Sequence, residues 1–161
     1  MTMMMVLALV VKSAAFADGA QVPKAYTCQG ADKSPPLEIA SEIPAGTQSL
    51  ALIVDDPDAP GGTFVHWVIW NLPAKFRSLP EGAPQETLKL ADGSMQGKND
   101  FGKVGWGGPC PPPGKPHHYR FRVFALDGKL TLPARSTAGD VERAIQGHVT
   151  GAGTLTATFQ R

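Results

Sequence analysis

Asp56, His66, His117 and Tyr119 carry ionisable side chains that fall near the ends of predicted β-strands. A carboxylate, two imidazoles and a phenol can together exchange hydrogen bonds with a charged group and share protons with it near neutral pH. Sites of this kind usually lie where a few polar groups converge at the edge of an apolar core. If the strand ends meet in the fold, these side chains form a small polar pocket.

Strand alternation places each of the four residues on a face that becomes apolar further along its strand. Asp56 continues the apolar face of the strand that ends at Val54. His66 is predicted to share a face with Val68 and Trp70. His117 and Tyr119 continue an apolar face of the strand predicted at 119–126 in the same way. The pattern therefore predicts a pocket at the rim of a sheet.

A bound anion beside Asp56 is repelled unless protons lie between them. A histidine solves this problem, because its ordinary pKa of about 6.5 lets a neighbouring carboxylate keep it charged near neutrality. We therefore expect Asp56 to orient one histidine, while His66, His117 and the Tyr119 hydroxyl donate hydrogen bonds to the anion. Backbone N–H groups of the Gly-Gly-Pro-Cys turn at 107–110 are expected to add donors. Phosphate binding should then weaken as the pH rises from about 6 to about 8.

Two other kinds of site use the same residue types. A hydrolase needs a nucleophile, for which Ser34 and Cys110 are the candidates, although the sequence has no G-x-S-x-G nucleophile elbow. A zinc protein would use His66, His117 and Asp56, but acidic or thiolate ligand clusters at metal spacing are missing. Each residue also has an ordinary structural role open to it, such as an Asx turn at Asp56.

The elements that must position these residues are mainly β-strands. Short apolar runs alternate with turn signals, and 18 Gly and 15 Pro in 161 residues favour turns over long helices. Long coil stretches are predicted at 74–92 and 93–116. The predicted strands span 49–54, 64–72, 119–126 and 154–159, with weaker ones at 6–11 and 37–39.

One α-helix is predicted after Thr137, which is a suitable N-cap with Asp140 three residues later. Val141 and Ile145 then fall on one apolar face, and Gly147 brings the helix to an end.

Length and charge limit the classes of protein that fit. The 161 residues correspond to one domain, predicted to span 1–161 with residues 1–12 as an N-terminal extension or first strand. A net charge of +1 gives no bulk attraction to nucleic acid, so no such partner is expected. The longest apolar run covers 3–11, short of the roughly 20 residues of a membrane span. A cleaved secretory signal is the alternative for this segment.

Cys28 and Cys110 are the two cysteines of the chain. A disulfide between them would close a long loop, which the chain-entropy model values at roughly 4–5 kcal/mol. Such a bond fits an oxidising compartment or the cytosol of a thermophile. The sequence leaves open whether the bond forms.

Four segments carry a resemblance to a known family. They are DDPDAP at 55–60, HWVIWN at 66–71, GGPCPP at 107–112 and HHYRF at 117–121. Together they resemble the phosphatidylethanolamine-binding protein family, and most closely its bacterial and archaeal Raf-kinase-inhibitor-like branch. The resemblance extends from about Ala15 to Arg161, and therefore covers nearly the whole chain.

The resemblance implies a fold of antiparallel β-sheets packed as a sandwich, with a few short peripheral helices. It also implies an anion pocket that accepts phosphate or a phospholipid head group. The positions of this sequence that match the family's pocket are Asp56, His66, His117 and Tyr119, with Gly108, Pro111 and Pro112 in its wall.

Members of this family are binding or regulatory proteins, and some inhibit kinases or proteases. The resemblance therefore implies a non-enzymatic role without a cofactor or a bound metal. It also implies a protein target and a homodimer as further partners. A cytoplasmic location is expected, with the periplasm or secretion as the alternative, because Phe16 and Asp18 match the family's first strand and turn, which cleavage after Ala17 would disrupt.

Overall fold

The computed structural model describes residues 5–161, so the first residues of the apolar run at 3–11 lie outside the described residues. The described chain contains one α-helix, α1 (Ala138–Ile145), and one short 3-10 helix (Lys24–Tyr26). Within this range, no helix is long and apolar enough to cross a membrane. The strands are β1 (Leu7–Ala8), β2 (Val11–Lys12), β3 (Leu37–Ile39), β4 (Ser49–Asp56), β5 (Phe64–Pro73), β6 (Ser78–Leu79), β7 (Met95–Gln96), β8 (His117–Leu126) and β9 (Val149–Phe159).

A six-stranded sheet in the order β1-β9-β8-β4-β5-β7 forms the larger part of the fold. Its neighbours pair antiparallel, except that β1 runs parallel to β9. Every residue of β4 is buried, which explains why its sequence is a nearly continuous apolar run. The ends of β4, β5 and β8 are therefore held close together by two antiparallel ladders.

A smaller sheet contains β2, β3 and β6. The strand predicted at 6–11 is split between the two sheets, since β1 pairs with β9 and β2 pairs with β3. The backbone changes sheet between Leu9, whose N–H donates to Ala152 O, and Val10, whose carbonyl accepts the Ala40 N–H. The prediction of extended backbone was right, and the prediction of a single strand was wrong.

Two apolar clusters lie on opposite faces of the large sheet. One contains residues of both sheets, such as Ile39 and Leu52. The other is covered by α1 and includes Ile53 and Val141. Because successive residues of β4 point to opposite faces, this strand contributes to both clusters.

The prediction of a mainly-β fold is confirmed, and helices are few. The predicted helix is also confirmed, with Thr137 and Asp140 forming a capping box at its start. The helix ends at Ile145, before Gly147. Short strands β6 and β7 interrupt the two stretches that were predicted as coil.

A β-bulge in β5 interrupts the ladder between β4 and β5. Val54 pairs with Trp67 and Asp55 pairs with Val65, which leaves His66 without a partner on β4. A bulge of this kind inserts one residue and redirects the side chains beside it.

The bulge makes the predicted grouping of His66 with Val68 and Trp70 wrong. Val68 and Trp70 belong to the apolar cluster beneath α1. His66 lies against the ring of Tyr119, which belongs to the cluster on the other face. Strict alternation fails here because it assumes an unbroken ladder.

Candidate functional site

Asp56 and His117 meet at the ends of two paired strands. Asp56 ends β4 and His117 begins β8, and the antiparallel register brings these two ends together. His117 Nδ1 lies 2.7 Å from Asp56 Oδ2, and the two side chains are 12% and 5% exposed. Asp56 Oδ1 accepts the backbone N–H of Asp58 at 2.8 Å. Both oxygens of Asp56 therefore have a partner, and His117 is the histidine that Asp56 contacts.

His66 is buried in the bulge of β5, and the segment that contains Gly107 holds its ring. Its Nδ1 lies 2.6 Å from the carbonyl oxygen of Gly107. A carbonyl oxygen only accepts hydrogen bonds, so Nδ1 carries a proton and Nε2 of the neutral ring is an acceptor. Burial lowers the pKa of His66 below its usual value, although the Gly107 carbonyl and the charge of Asp56 oppose this effect. His66 is therefore neutral near pH 7.

The Tyr119 hydroxyl is buried and makes no hydrogen bond of good geometry within the described residues, although the carboxylate of Asp56 lies near it. Tyr119 is 1% exposed, and its ring lies edge-on to the imidazole of His66 with centroids 5.2 Å apart. Burial and, next, the charge of Asp56 raise the pKa of Tyr119, so the hydroxyl keeps its proton. Leaving a buried donor without a partner costs about 1–3 kcal/mol. A ligand that accepts this hydrogen bond recovers that free energy.

All four side chains line one cavity of about 170 Å³. A water molecule occupies about 30 Å³ in the liquid, so the cavity has room for a group the size of phosphate. The rest of the wall is mostly apolar and includes both predicted prolines; it consists of Ala59, Pro60, Phe64, Phe101, Cys110, Pro111 and Pro112.

Gly108, which was predicted to line the pocket, lies outside this cavity. Its N–H donates to Asp32 Oδ1 at 2.9 Å, and the Gly107 N–H donates to the backbone carbonyl of His66 at 3.0 Å. Both N–H groups are used within the protein, so the two glycines of the turn do not supply the expected backbone donors. A Cβ at Gly108 would collide with Asp32 and with the carbonyl of Tyr26, so this close approach requires glycine.

Cys28 and Cys110 are joined by a disulfide bond. Both residues are exposed. The bond ties the segment 107–112, which supplies part of the cavity wall, to the loop after the 3-10 helix. The Cys28 N–H also donates to Pro109 O at 3.1 Å, so the two segments are joined by both a covalent bond and a hydrogen bond.

Neither candidate nucleophile is placed for hydrolysis. Ser34 is 1% exposed, its hydroxyl accepts the Ala83 N–H at 2.8 Å, and it does not line the cavity. Cys110 has no free thiol, because its sulfur is in the disulfide. Within residues 5–161, no three His, Cys, Asp or Glu side chains are placed together to hold a metal ion.

Two further groups of oppositely charged side chains flank the site, and neither was predicted from the sequence. Asp58 Oδ2 accepts the Nδ1–H and the backbone N–H of His118, and these hydrogen bonds lower the pKa of Asp58. On the opposite face of β4, Asp55 accepts hydrogen bonds from Arg120 and Arg122, each at 2.7 Å. Asp55 lies opposite Arg120 in the ladder. The signal in the sequence was a pair of opposite charges on two predicted strands. This signal can be used only when the register of the two strands is known.

A family model and several relatives match nearly the whole chain. A family model described as phosphatidylethanolamine-binding protein matches residues 12–160. A UPF0098 protein of Pyrococcus abyssi is 43% identical over 151 residues, which cover 92% of this chain and 84% of that protein. A putative lipoprotein, LppC of Mycobacterium tuberculosis, is 39% identical over 153 residues, covering 94% of this chain and 72% of that protein.

Solved structures agree with the sequence matches. E. coli YbcL, described as a member of the mammalian PEBP family, is 36% identical, has a TM-score of 0.88, and is matched over 98% of its chain and 95% of this one. A putative PEBP homologue of Chlamydia trachomatis, CT736, is also 36% identical, with a TM-score of 0.86 over 96% of this chain and 98% of that one.

Proposed function

Because the chain belongs to the phosphatidylethanolamine-binding protein family, we propose that it is a binding protein whose cavity holds a small anionic group. The group is phosphate, either free or in a phospholipid head group. The observation that carries this proposal is the buried Tyr119 hydroxyl, a donor that lacks a partner in a cavity shared with two histidines. An anion is the ligand that such a donor binds most strongly.

The two oxygens of Asp56 accept hydrogen bonds from the protein, which offsets part of the repulsion between its charge and a bound anion. Its contact with His117 Nδ1 leaves Nε2 as the free nitrogen of that ring. When both nitrogens of His117 carry protons, Nε2 donates to the ligand while Nδ1–H donates to Asp56. The positive ring then lies between the two negative groups and screens their repulsion.

His66 plays a different part from the one that the sequence suggested. Near pH 7 its ring is neutral, and Nε2 is an acceptor rather than a donor. It therefore favours an anion that still carries a hydroxyl, such as a monoprotonated phosphate. As the pH falls, the ring gains a proton and becomes a second donor, so binding is expected to strengthen.

The same geometry supports a non-enzymatic role rather than hydrolysis. The two candidate nucleophiles are a buried serine outside the cavity and a cysteine in a disulfide. The alternative of a hydrolase therefore has no nucleophile at the cavity among the residues that were proposed for it. Activated esters are expected to give no burst of product with the purified protein.

We also propose that a protein target, inhibited or regulated by this protein, contacts the opening of the cavity. Phe101 is 45% exposed there and lies edge-on to Phe64, with ring centroids 4.8 Å apart. Exposed aromatic side chains are common at protein interfaces. A homodimer stays a prediction from the family resemblance.

Two further points stay at the level of proposals. We infer that the small sheet packs on the large one as the second layer of a sandwich, because residues of both share one apolar cluster. A cytoplasmic location stays a prediction; the disulfide and the relative named as a lipoprotein favour an envelope or extracellular location as the alternative.

Calorimetric titration with phosphate at several values between about pH 6 and pH 8 tests the proposed function. We expect one site per chain, with affinity that falls as the pH rises. His148→Gln is the matched control, because His148 is exposed and pairs with Asp127 away from the cavity. Absence of binding by the wild-type protein across this range would refute the proposal.

A further inference from the structure

Cys110 lines two different cavities. One is the cavity of the candidate site, which Cys28 does not line. The other is a second cavity of about 350 Å³, lined by both cysteines together with Asp32 and Trp106. A group bound in the candidate site therefore lies next to Cys110, whereas Cys28 lines only the second cavity.

This arrangement suits thiol–disulfide exchange. A thiolate attacks one sulfur of a disulfide while the other sulfur leaves as a thiolate. Attack from the candidate site would reach Cys110, and Cys28 would leave on the side of the second cavity. Both cysteines are exposed, so a small reagent has access to the bond and the departing thiolate can take a proton from water.

We propose that Cys110 is a site of exchange with low-molecular-weight thiols that carry an anionic group. The inference rests on the proposed function, because the anionic group occupies the same position as phosphate, near His117 and Tyr119. Binding there holds the thiol of the reagent beside Cys110. A neutral thiol of the same size lacks this anchor and reacts only by collision.

The reaction balances with two molecules of the anionic thiol. The first, as its thiolate, forms a bond to the Cys110 sulfur and breaks the Cys28–Cys110 bond, so that Cys28 leaves as a thiolate and takes up a proton. The second attacks the reagent sulfur of this mixed disulfide and releases Cys110 as a thiol. The protein disulfide is reduced, and the two reagent thiols are oxidised to their own disulfide.

Reduction also affects the candidate site itself. Cys110 precedes Pro111 and Pro112 in the cavity wall, and Gly107 of the same segment holds His66 through its carbonyl. The disulfide is the covalent tie of this segment to the loop at Cys28. The same class of reagent that the cavity recognises therefore loosens one of its walls.

The first test compares 2-mercaptoethanesulfonate with 2-mercaptoethanol on the wild-type protein. Rates of mixed-disulfide formation are measured by acid quench and mass spectrometry, and are expressed per thiolate. We expect the sulfonate to react about tenfold faster than the neutral thiol, with the adduct on Cys110. Saturating phosphate should remove this excess in rate. An adduct on Cys28, or an excess that phosphate does not suppress, would overturn the inference.

A matched pair of variants provides a second test. It still works if the Cys28–Cys110 disulfide re-forms before a mixed disulfide with the reagent accumulates. Cys28→Ser leaves Cys110 as a thiol, and Cys110→Ser leaves Cys28. Each is treated with sulfonatoethyl and hydroxyethyl methanethiosulfonate. The anionic reagent should be preferred about tenfold by the Cys28→Ser protein and not by the Cys110→Ser protein. Equal preferences in the two variants would overturn the inference.

Calorimetry with phosphate on the wild-type protein separates this inference from the proposed function. Phosphate binding without a preference for anionic thiols refutes the exchange site and leaves the anion site intact. Absence of both refutes both proposals.

Discussion

Asp55 and Asp56 are neighbours on β4 and are almost equally buried, at 1% and 3% exposed, yet their surroundings differ. Asp55 is neutralised by Arg120 and Arg122 on one face of the sheet. Asp56 pairs with a single histidine, His117, and lines a cavity that also contains a buried hydroxyl without a hydrogen bond. Burial alone does not separate the two carboxylates. Asp56 is the candidate for the proposed anion site because it shares a cavity with a buried donor that lacks a hydrogen bond.

The largest expected effect concerns Asp55, which is paired with the two arginines. Asp55→Asn removes the charge that balances two arginines and should lower the free energy of unfolding by about 3 kcal/mol. This lies at the low end of the usual range, because the arginine side chains are 38% and 22% exposed. Urea unfolding measures the loss.

The folded Asp55→Asn protein should bind phosphate with an affinity within about threefold of the wild type, because Asp55 points away from the cavity. A large loss of affinity at full folding would show that the two faces of β4 are coupled. The division between a structural and a functional carboxylate would then fail.

The next effect concerns the cavity that Asp56 lines. Tyr119→Phe should weaken phosphate binding by at least about tenfold, which corresponds to a hydrogen bond to a charged group worth about 1.5 kcal/mol or more. The free energy of unfolding should stay the same or rise slightly, because the variant removes a buried donor without a partner. Calorimetry and thermal unfolding measure the two quantities.

If Tyr119→Phe destabilises the protein and leaves phosphate affinity unchanged, its hydroxyl is structural. Tyr119 would then resemble Asp55 rather than Asp56 in its role. His148→Gln, away from the cavity, should change neither quantity by more than experimental error.

The sequence predicted a mainly-β fold and the helix after Thr137 because both depend on local patterns. It could not predict the bulge at His66, because a bulge is a property of two paired strands. The convergence of the four side chains on one cavity was predicted from their positions at strand ends together with a family resemblance. The direction of the Gly108 N–H toward Asp32 depends on a contact between distant loops, and no local pattern shows it.

A smaller effect is expected from the titration of His66. Its pKa is lower in the folded chain than in the unfolded one, so the unfolded state binds more protons as the pH falls below about 6.5. The titration of His66 therefore leaves the free energy of unfolding unchanged above this pH. Below it, the free energy of unfolding declines by at most about 1.4 kcal/mol per pH unit. Thermal unfolding in a buffer without anions measures the decline.

His66→Gln should flatten this decline between about pH 6.5 and pH 5.5, since it removes the titrating group. Added phosphate should stabilise the wild-type protein more at the lower pH, where the ring becomes a donor. An unchanged slope in the variant would assign the decline to other groups.

The smallest effect is expected at the exposed pair of Asp58 and His118, whose side chains are 42% and 55% exposed. His118→Ala should change the free energy of unfolding by less than about 1 kcal/mol. Phosphate affinity should change by less than about threefold, because His118 does not line the cavity. A larger loss of affinity would extend the functional site beyond the cavity wall.

A crystal structure of the protein grown with phosphate would show whether the cavity holds an anion. We expect one phosphate in the cavity, with an oxygen within hydrogen-bond distance of the Tyr119 hydroxyl and another near His117 Nε2. A structure in which phosphate binds elsewhere, while the Tyr119 hydroxyl stays without a partner, would contradict this expectation.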